Sequence, residues 1–301
     1  MAEVSEILKD SFGRRHNYLR ISLTEKCNLR CTYCMPENGV VLSPKSYLMS
    51  TDEVINLAAL FVKNGVTKIR LTGGEPLLRK DFKDILTALS QMPIALSVTT
   101  NAILIDSHIE TFKTCGLESI NVSLDTLDAE KFNAITKRDQ FDRAIQNIDL
   151  LMEHGFKVKL NVVLMKDFNE NEIIPFIQYT KNRDVSVRFI EFMPFDGNSW
   201  DKSKLVSYSE VLDQVKDEYA EDNIIQLPNE ENYTARNFKI VGHTGDFGII
   251  STVTNPFCDS CNRIRLTANG KLKNCLFSTA ETDLLTTFRQ GGDIEPLIQQ
   301  A

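Results

Sequence analysis

From about Tyr18 to Glu191 the chain alternates between two hydrophobic periods. A two-residue period predicts strands over 18–23, 67–72, 94–99, 118–124, 157–164 and 185–191. Between them the period becomes helical. Val54, Leu57, Ala58, Phe61 and Val62 form one apolar stripe, and further helices are predicted near 81–90, 106–115, 141–154 and 170–181. Strand–helix alternation implies right-handed crossovers and a parallel sheet. Six such units in series predict an α/β fold, an incomplete (β/α)6 version of the TIM-type barrel.

The strands depart from the usual parallel pattern. Strands covered on both faces read as continuous apolar runs. Here Leu19, Ile21 and Leu23 alternate with Arg20, Ser22 and Thr24, and Ile69 and Leu71 with Lys68, Arg70 and Thr72. The other four strands behave alike, with Ser97, Thr99, Asn121, Ser123, Asp125, Lys159, Asn161, Ser186 and Arg188 in the polar set. Side chains alternate faces along a strand, so the apolar set faces the helices and the polar set faces the other side. In a closed barrel that inner side is a packed core, where buried cations are costly. Antiparallel strands with one wet face would also alternate, but the intervening helices favour an open barrel with a wide polar lumen. Arg20, Lys68, Arg70, Lys159 and Arg188 on that face point to an anionic, phosphorylated ligand.

After about Met193 the pattern breaks at Pro194–Asn198, which is turn chemistry. A helix near 207–219 follows, then a polar loop. Short strands are predicted near 237–241, 247–253, 263–267 and 271–275, and a final helix over 281–290. The expected organisation is a barrel over 1–195 and a small C-terminal α+β module over 196–301.

Composition narrows the class. The chain has 301 residues, 42% hydrophobic, with a net charge of −7. That is globular composition, and the acidity argues against nucleic-acid binding. No apolar run approaches the ~20 residues of a membrane span. The start lacks signal- or transit-peptide character, so a cytoplasmic protein is expected, or a mitochondrial matrix protein in a eukaryote. Seven cysteines are too few, and odd in number, for a disulfide framework. Two groups, Cys27/Cys31/Cys34 and Cys258/Cys261/Cys275, read as metal sites; Cys115 reads as a core residue.

Three thiolates spaced as Cys27-x3-Cys31-x2-Cys34 can hold one corner of an iron–sulfur cubane and leave one iron open for a ligand. Structural zinc would require a fourth ligand, and the nearest histidine, His16, lies before the strand. Gly73-Gly74-Glu75-Pro76 follows the second predicted strand, where β/α barrels place chemistry, and its glycines let backbone approach a ligand. The second triplet sits in Phe257–Arg265. Arg263 and Arg265 share a strand face beside it and suit bidentate contacts to phosphate or a base edge.

The first triplet, with Tyr33 before its third cysteine, and the Gly-Gly-Glu-Pro run resemble the signatures of the radical S-adenosylmethionine superfamily. With the second triplet, the stretches Leu19–Cys34, Lys68–Pro76, Thr99–Asn101, Asn121–Asp125, Val158–Val163, Arg188–Met193 and Phe257–Leu266 resemble the MoaA family of GTP 3′,8-cyclases of molybdenum cofactor biosynthesis. The resemblance implies two [4Fe–4S] clusters, one on each triplet, with S-adenosylmethionine on the open iron of the first. A 5′-deoxyadenosyl radical would remove hydrogen from C3′ of GTP. C3′ would then attack guanine C8 to give (8S)-3′,8-cyclo-7,8-dihydroguanosine 5′-triphosphate, with the second cluster holding the base. By the same resemblance Tyr33, Gly74, Ser123 and Met193 surround S-adenosylmethionine, and Arg20, Arg70, Thr99, Lys159, Arg263 and Arg265 contact GTP. The implied partners are a flavodoxin- or ferredoxin-like one-electron reductant and a downstream cyclic pyranopterin monophosphate synthase, and a homodimer is allowed.

Two readings compete with a cyclase: another radical enzyme with an auxiliary cluster, such as a peptide-modifying maturase, and a zinc-stabilised binding protein without catalysis. Two departures from the family are visible. A Gly-Gly tail that reaches the family's active site has no counterpart at Gln299-Gln300-Ala301, and Gly291-Gly292 is internal, so full activity is expected to depend on such a tail. Ala102 stands where the family often has glycine, which alters only the turn.

Overall fold

The computed structural model describes residues 6–301 except 36–38, 40, 195–197, 199, 230 and 231. The N-terminal part runs β1 (Tyr18–Ser22), α1 (Thr51–Lys63), β2 (Lys68–Thr72), α2 (Phe82–Ser90), β3 (Ala95–Thr100), α3 (Ile109–Thr114), β4 (Ser119–Ser123), α4 (Ala129–Thr136), α5 (Phe141–Glu153), β5 (Lys157–Leu164), α6 (Ile173–Tyr179) and β6 (Val185–Glu191). All six strands lie within a residue or two of the ranges that alternation predicts. These strands neighbour one another in chain order and pair in parallel.

Helix positions follow from local chemistry. Ser50 caps α1 through a reciprocal box with Glu53, and Val54, Leu57, Ala58 and Phe61 of the predicted stripe are buried. Among these barrel helices, α4 is the one the hydrophobic pattern does not reveal. Its eight residues bury only Phe132, Ile135 and Thr136, and it stops where Lys137 turns left-handed at φ 56°. It matters because its C-terminal carbonyls receive the first cysteine loop: Arg30 N donates to Thr136 O at 2.8 Å and Thr32 N to Ile135 O at 2.9 Å.

The rest of the chain contains α7 (Tyr208–Glu218), β7 (Ile224–Gln226), β8 (Arg236–Ile240), β9 (Asp246–Ile250), β10 (Arg263–Leu266), β11 (Lys271–Lys273), β12 (Thr282–Asp283), α8 (Leu285–Arg289) and α9 (Glu295–Gln300). These strands extend the barrel's own sheet at both edges. β9 pairs in parallel with β6, and β10 pairs in parallel with β1. Eight strands thus run parallel, the number in a closed barrel. They do not close: β8 and β7 continue antiparallel beyond β9, and β11 and β12 beyond β10. The expected boundary at 195/196 lies outside the described residues.

The alternation sorts as its period requires. β6 alternates buried and half-buried residues along its whole length. Leu19, Ile21, Ile69, Leu71, Val98, Ile120, Val122, Leu160, Val187 and Phe189 are fully buried against the helices, each worth about 2 kcal/mol of burial. The opposite face is the lumen. In register across it, Arg265 of β10 pairs with Arg20 of β1, Arg20 with Arg70 of β2, and Arg70 with Ser97 of β3. Further round, Asn121 pairs with Lys159, and Asn161 with Arg188.

Candidate functional site: a cationic lumen between two cysteine triplets

Cys27, Cys31 and Cys34 are free thiols that line one cavity of about 210 Å³ at the C-terminal ends of the strands. Tyr33, Gly74, Thr99 and Ser123 line the same cavity. Burial raises the pKa of Cys31, and the Asp125 carboxylate and the other two cysteines raise it further. Cys34 is raised by burial and then by Cys27 and Asp125. Such a trio ionises together only when a cation compensates it, which is what iron supplies.

The two glycines also serve a purpose outside the sequence-based expectation. They let this loop approach another piece of backbone. A Cβ on Gly74 would lie 2.3 Å from the carbonyl oxygen of Lys26, and one on Gly73 2.6 Å from that of Thr24. Gly74 N donates to Thr24 O and Glu75 N to Lys26 O, both at 2.8 Å. The Gly-Gly-Glu-Pro loop is therefore stitched to the segment that delivers Cys27.

The Glu75 carboxylate is fully buried and accepts from Thr100 Oγ1 (2.8 Å), Asn101 N (2.8 Å) and Leu77 N (3.1 Å). Burial pushes its pKa up to about 7, against those hydrogen bonds. Through it the end of β3 is fixed, and Asn101 Nδ2 reaches Asn28 Oδ1 at 2.7 Å and Cys27 Sγ at 3.9 Å. Ala102, next in the chain, sits at φ 68°, which explains a glycine preference at this position. On the other side Tyr33 OH donates to Asp125 Oδ2 at 2.8 Å, and Val163 N to Asp125 Oδ1 at 2.9 Å. Burial raises the Asp125 pKa to about 6.

At the N-terminal ends of the strands a second cavity, about 280 Å³, is lined by Tyr18, Arg20, Lys68, Arg70, Lys159, Arg188 and Arg263, with Asn17, Tyr233, Asn237 and Asn262 among its polar walls. Among the described residues no carboxylate lines it. Arg70 is 9% exposed; burial, and then the charges of Arg20, Arg188 and Arg263 against a gain from Tyr18, bring its pKa down to about 9. Arg70 Nε donates to Ser97 Oγ at 3.2 Å. Like charges gathered in this way disfavour one another, and a bound anion would relieve them.

Cys258, Cys261 and Cys275 line a third cavity of about 440 Å³, also at that end, with Arg14, His16 and Asn274. Arg14 Nη1 donates to Cys258 O at 2.6 Å, and Asp10 grips Arg14 at 2.6–2.7 Å. Arg263 joins this cavity to the cationic one. Its Nη1 is 3.7 Å from Cys261 Sγ, and its Nη2 donates to Asn232 O at 2.7 Å. Arg265 lines neither cavity. Burial, followed by the nearby Arg20 charge, lowers its pKa to about 9, against Cys275 and Cys261, which raise it.

The sequence-predicted residues thus fall into groups. Tyr33, Gly74, Ser123 and Thr99 meet at the first triplet, and Arg20, Arg70, Lys159 and Arg263 meet in the cationic cavity. Met193 lines neither; it lies past the end of β6, with Thr252 Oγ1 3.6 Å from its sulfur. His16 belongs with the second triplet, not the first. Sequence reasoning assigned no role to Tyr18 or Arg14, nor to the carboxylates of Glu75 and Asp125. Asp125 was legible, standing two residues after Ser123 on the polar face.

Among the described residues no group of three His, Cys, Asp or Glu side chains could hold a single metal ion. One ion needs its donors gathered at about 2.0–2.3 Å. A cubane attaches each thiolate to a different iron, so separated thiols facing one cavity suit it. Both triplets fit a cluster on that chemistry, with N–H groups of Asn101 and Arg263 directed at cysteine sulfur.

The chain matches the radical SAM superfamily over residues 21–180 and Molybdenum Cofactor Synthesis C over residues 185–301. It is 48% identical over 297 residues to the mitochondrial GTP 3′,8-cyclase of Arabidopsis thaliana, covering 98% of this chain and 76% of that protein. The GTP 3′,8-cyclase of Listeria welshimeri is 42% identical over 304 residues, with 98% of this chain and 90% of that protein covered. Molybdenum cofactor biosynthesis protein 1 of Homo sapiens is 47% identical over 301 residues, covering 99% of this chain and 47% of that protein, so the chain spans about half of its length. In structure, SuiB of Streptococcus suis superimposes with a TM-score of 0.67 at 17% identity, over 96% of this chain and 67% of SuiB. SuiB bound to S-adenosylmethionine gives 0.63 at 19% identity, over 90% and 65%. At such identity the likeness speaks for the fold alone.

Proposed function

Because this chain belongs to the GTP 3′,8-cyclase family of the radical SAM superfamily, we propose that it converts GTP to its 3′,8-cyclised dihydro form in molybdenum cofactor biosynthesis. The observation that carries this reading is a cationic cavity, lined by no carboxylate among the described residues, at one end of a lumen whose other end holds the first cysteine triplet. Lys68 and Thr72 bracket β2 and are four residues apart, about 13 Å at strand rise. That length accommodates a nucleotide with its phosphates among the cations and its ribose toward the first triplet.

Cys27, Cys31 and Cys34 would hold one [4Fe–4S] cluster, and Cys258, Cys261 and Cys275 a second. When bound, the first supplies the electron that splits S-adenosylmethionine into a hydrogen-abstracting radical. The chain's own residues orient and shield. Tyr33, Gly74 and Ser123 line the cavity that would take S-adenosylmethionine, and the family resemblance adds Met193, which lies past the end of β6 beside Thr252. Arg20, Arg70, Lys159 and Arg263 neutralise the triphosphate; the family resemblance adds Thr99, which lines the first-triplet cavity, and Arg265, which stands level with Arg20 outside both. Asn101 and Arg263 place N–H groups at cysteine sulfur, where charge-assisted hydrogen bonds are strongest.

In this reading residues 1–195 form the radical-generating barrel, and 196–301 supply the second cluster and close the substrate cavity. A flavodoxin- or ferredoxin-like protein delivers the electron, and a cyclic pyranopterin monophosphate synthase consumes the product. No helix among the described residues is long and apolar enough to cross a membrane. The peptide-maturase alternative has only a fold likeness behind it, whereas the cyclase reading has relatives 42% and 48% identical over almost the whole chain. Anaerobic reconstitution with GTP, S-adenosylmethionine and a reductant tests it. GTP-dependent release of 5′-deoxyadenosine supports it; GTP recovered unchanged contradicts it.

A further inference from the structure

Tyr18 opens β1 on the lumen face, two residues before Arg20, in register with Lys68 of β2 and Arg263 of β10. Its ring is shared by three cations: Lys68 Nζ lies 5.0 Å from the centroid, Arg70 Cζ 5.5 Å and Arg20 Cζ 5.8 Å. This is cation–π distance, so the ring's negative face offsets part of a repulsion that no described carboxylate in the cavity relieves. The hydroxyl is a second matter. Tyr18 is 8% exposed and its oxygen is buried; Arg20 is the side chain placed to donate to that oxygen, so the hydroxyl's own proton has no acceptor among the described residues. A buried tyrosine hydroxyl normally finds an acceptor for its proton. Burial alone would raise the phenol's pKa, but the Arg70, Arg20 and Lys68 charges outweigh it and hold it below the ordinary tyrosine value. Such a phenol is a strengthened hydrogen-bond donor.

Resting on the GTP reading above, we propose that Tyr18 is a substrate-binding residue. Its hydroxyl donates to a phosphate oxygen of the nucleoside triphosphate, while its ring fans Arg20, Lys68 and Arg70 around the same phosphates. A lone apolar spacer would perform the second task without the hydroxyl, so the two roles separate by substitution. Tyr18→Phe keeps the ring and removes the donor; Tyr18→Leu removes both.

The test measures anaerobic calorimetric affinity of the cluster-loaded protein for GTP, guanosine and inorganic tripolyphosphate. Tyr18→Phe is expected to weaken GTP and tripolyphosphate about tenfold, as loss of one charge-assisted hydrogen bond does, with guanosine affinity and iron content unchanged. Tyr18→Leu is expected to weaken both phosphates further. GTP affinity of Tyr18→Phe within twofold of wild type overturns the proposal, and so does an equal loss for guanosine. If the wild-type protein binds tripolyphosphate but not GTP, the GTP reading fails. The Tyr18 assignment then stands or falls on tripolyphosphate alone.

Discussion

Arg20 and Arg70 stand level on adjacent parallel strands, both facing the lumen, and Arg265 stands level with Arg20 on its other side. Neighbouring strands are only about 4.8 Å apart. Three guanidiniums in one row repel one another, and two of them, Arg20 and Arg70, face a polar cavity rather than a packed core. In the proposed reading, that repulsion is the cost of an anion site.

That trade is measurable. Arg20 makes no hydrogen bond through its buried Nε. Replacing it with methionine keeps the stem's length and removes one charge. Arg20→Met should raise the apo-protein's unfolding free energy by about 1 kcal/mol, the scale of a partly screened like-charge contact, and weaken GTP binding at least tenfold. Urea unfolding and calorimetry read the two effects. A less stable variant with unchanged GTP affinity would contradict the account.

Cysteine substitutions separate the two clusters. Wild-type protein should carry about eight irons after anaerobic reconstitution, and Cys31→Ala or Cys275→Ala about four each, since a cubane holds four. Cys31→Ala should abolish 5′-deoxyadenosine formation. Wild-type iron content near four, or none, rules out the two-cluster assignment.

Gly74 has no room for a methyl group, because the clashing atom is backbone of the cysteine loop itself. Gly74→Ala should cost about 2–3 kcal/mol, as overpacking does, and lower iron content by about four. Electron paramagnetic resonance should show the second cluster intact. Loss of the second cluster's signal with the first retained would sink this assignment of the loop.

Arg79 and Asp81 lock the segment after the Gly-Gly-Glu-Pro loop. Asp81 pairs with Arg79 at 2.9 and 3.0 Å, and Arg79 also donates to Leu23 O and Met49 O. The hydrogen bond from Arg79 holds the Asp81 pKa down to about 2, against an ordinary 3.8. A depressed carboxylate contributes stability that is present above pH 3.8 and is lost as pH falls toward 2. Asp81→Asn should cost the apo-protein about 1–2 kcal/mol at pH 7, allowing for solvent screening of a side chain 32% exposed. The gap from wild type should shrink as the pH falls below 4. A gap independent of pH would show that the charge is not what matters.

Much of this was legible in the chain. The period-2 alternation of β1 to β6 places Arg20, Lys68, Arg70, Lys159 and Arg188 on one face from the sequence alone, because strand geometry leaves no other choice. Helix α4 escaped because eight residues with few apolar positions give little periodicity. The union of β9 and β10 with the barrel's edges escaped because pairing of distant strands leaves no mark in local sequence. Tyr18 reads as an ordinary strand aromatic until three cations are seen around its ring. Glu75 was visible within its motif, but its grip on Thr100 and Asn101 belongs to tertiary structure.

The central claim is that the lumen presents the ribose of GTP to the first triplet while the cations hold the phosphates. GTP carrying deuterium at C3′ tests it most directly, with mass analysis of the 5′-deoxyadenosine released during anaerobic turnover. The account predicts 5′-deoxyadenosine heavier by one deuterium, formed together with cyclised nucleotide. Unlabelled 5′-deoxyadenosine, released at the same rate with or without GTP, would contradict it.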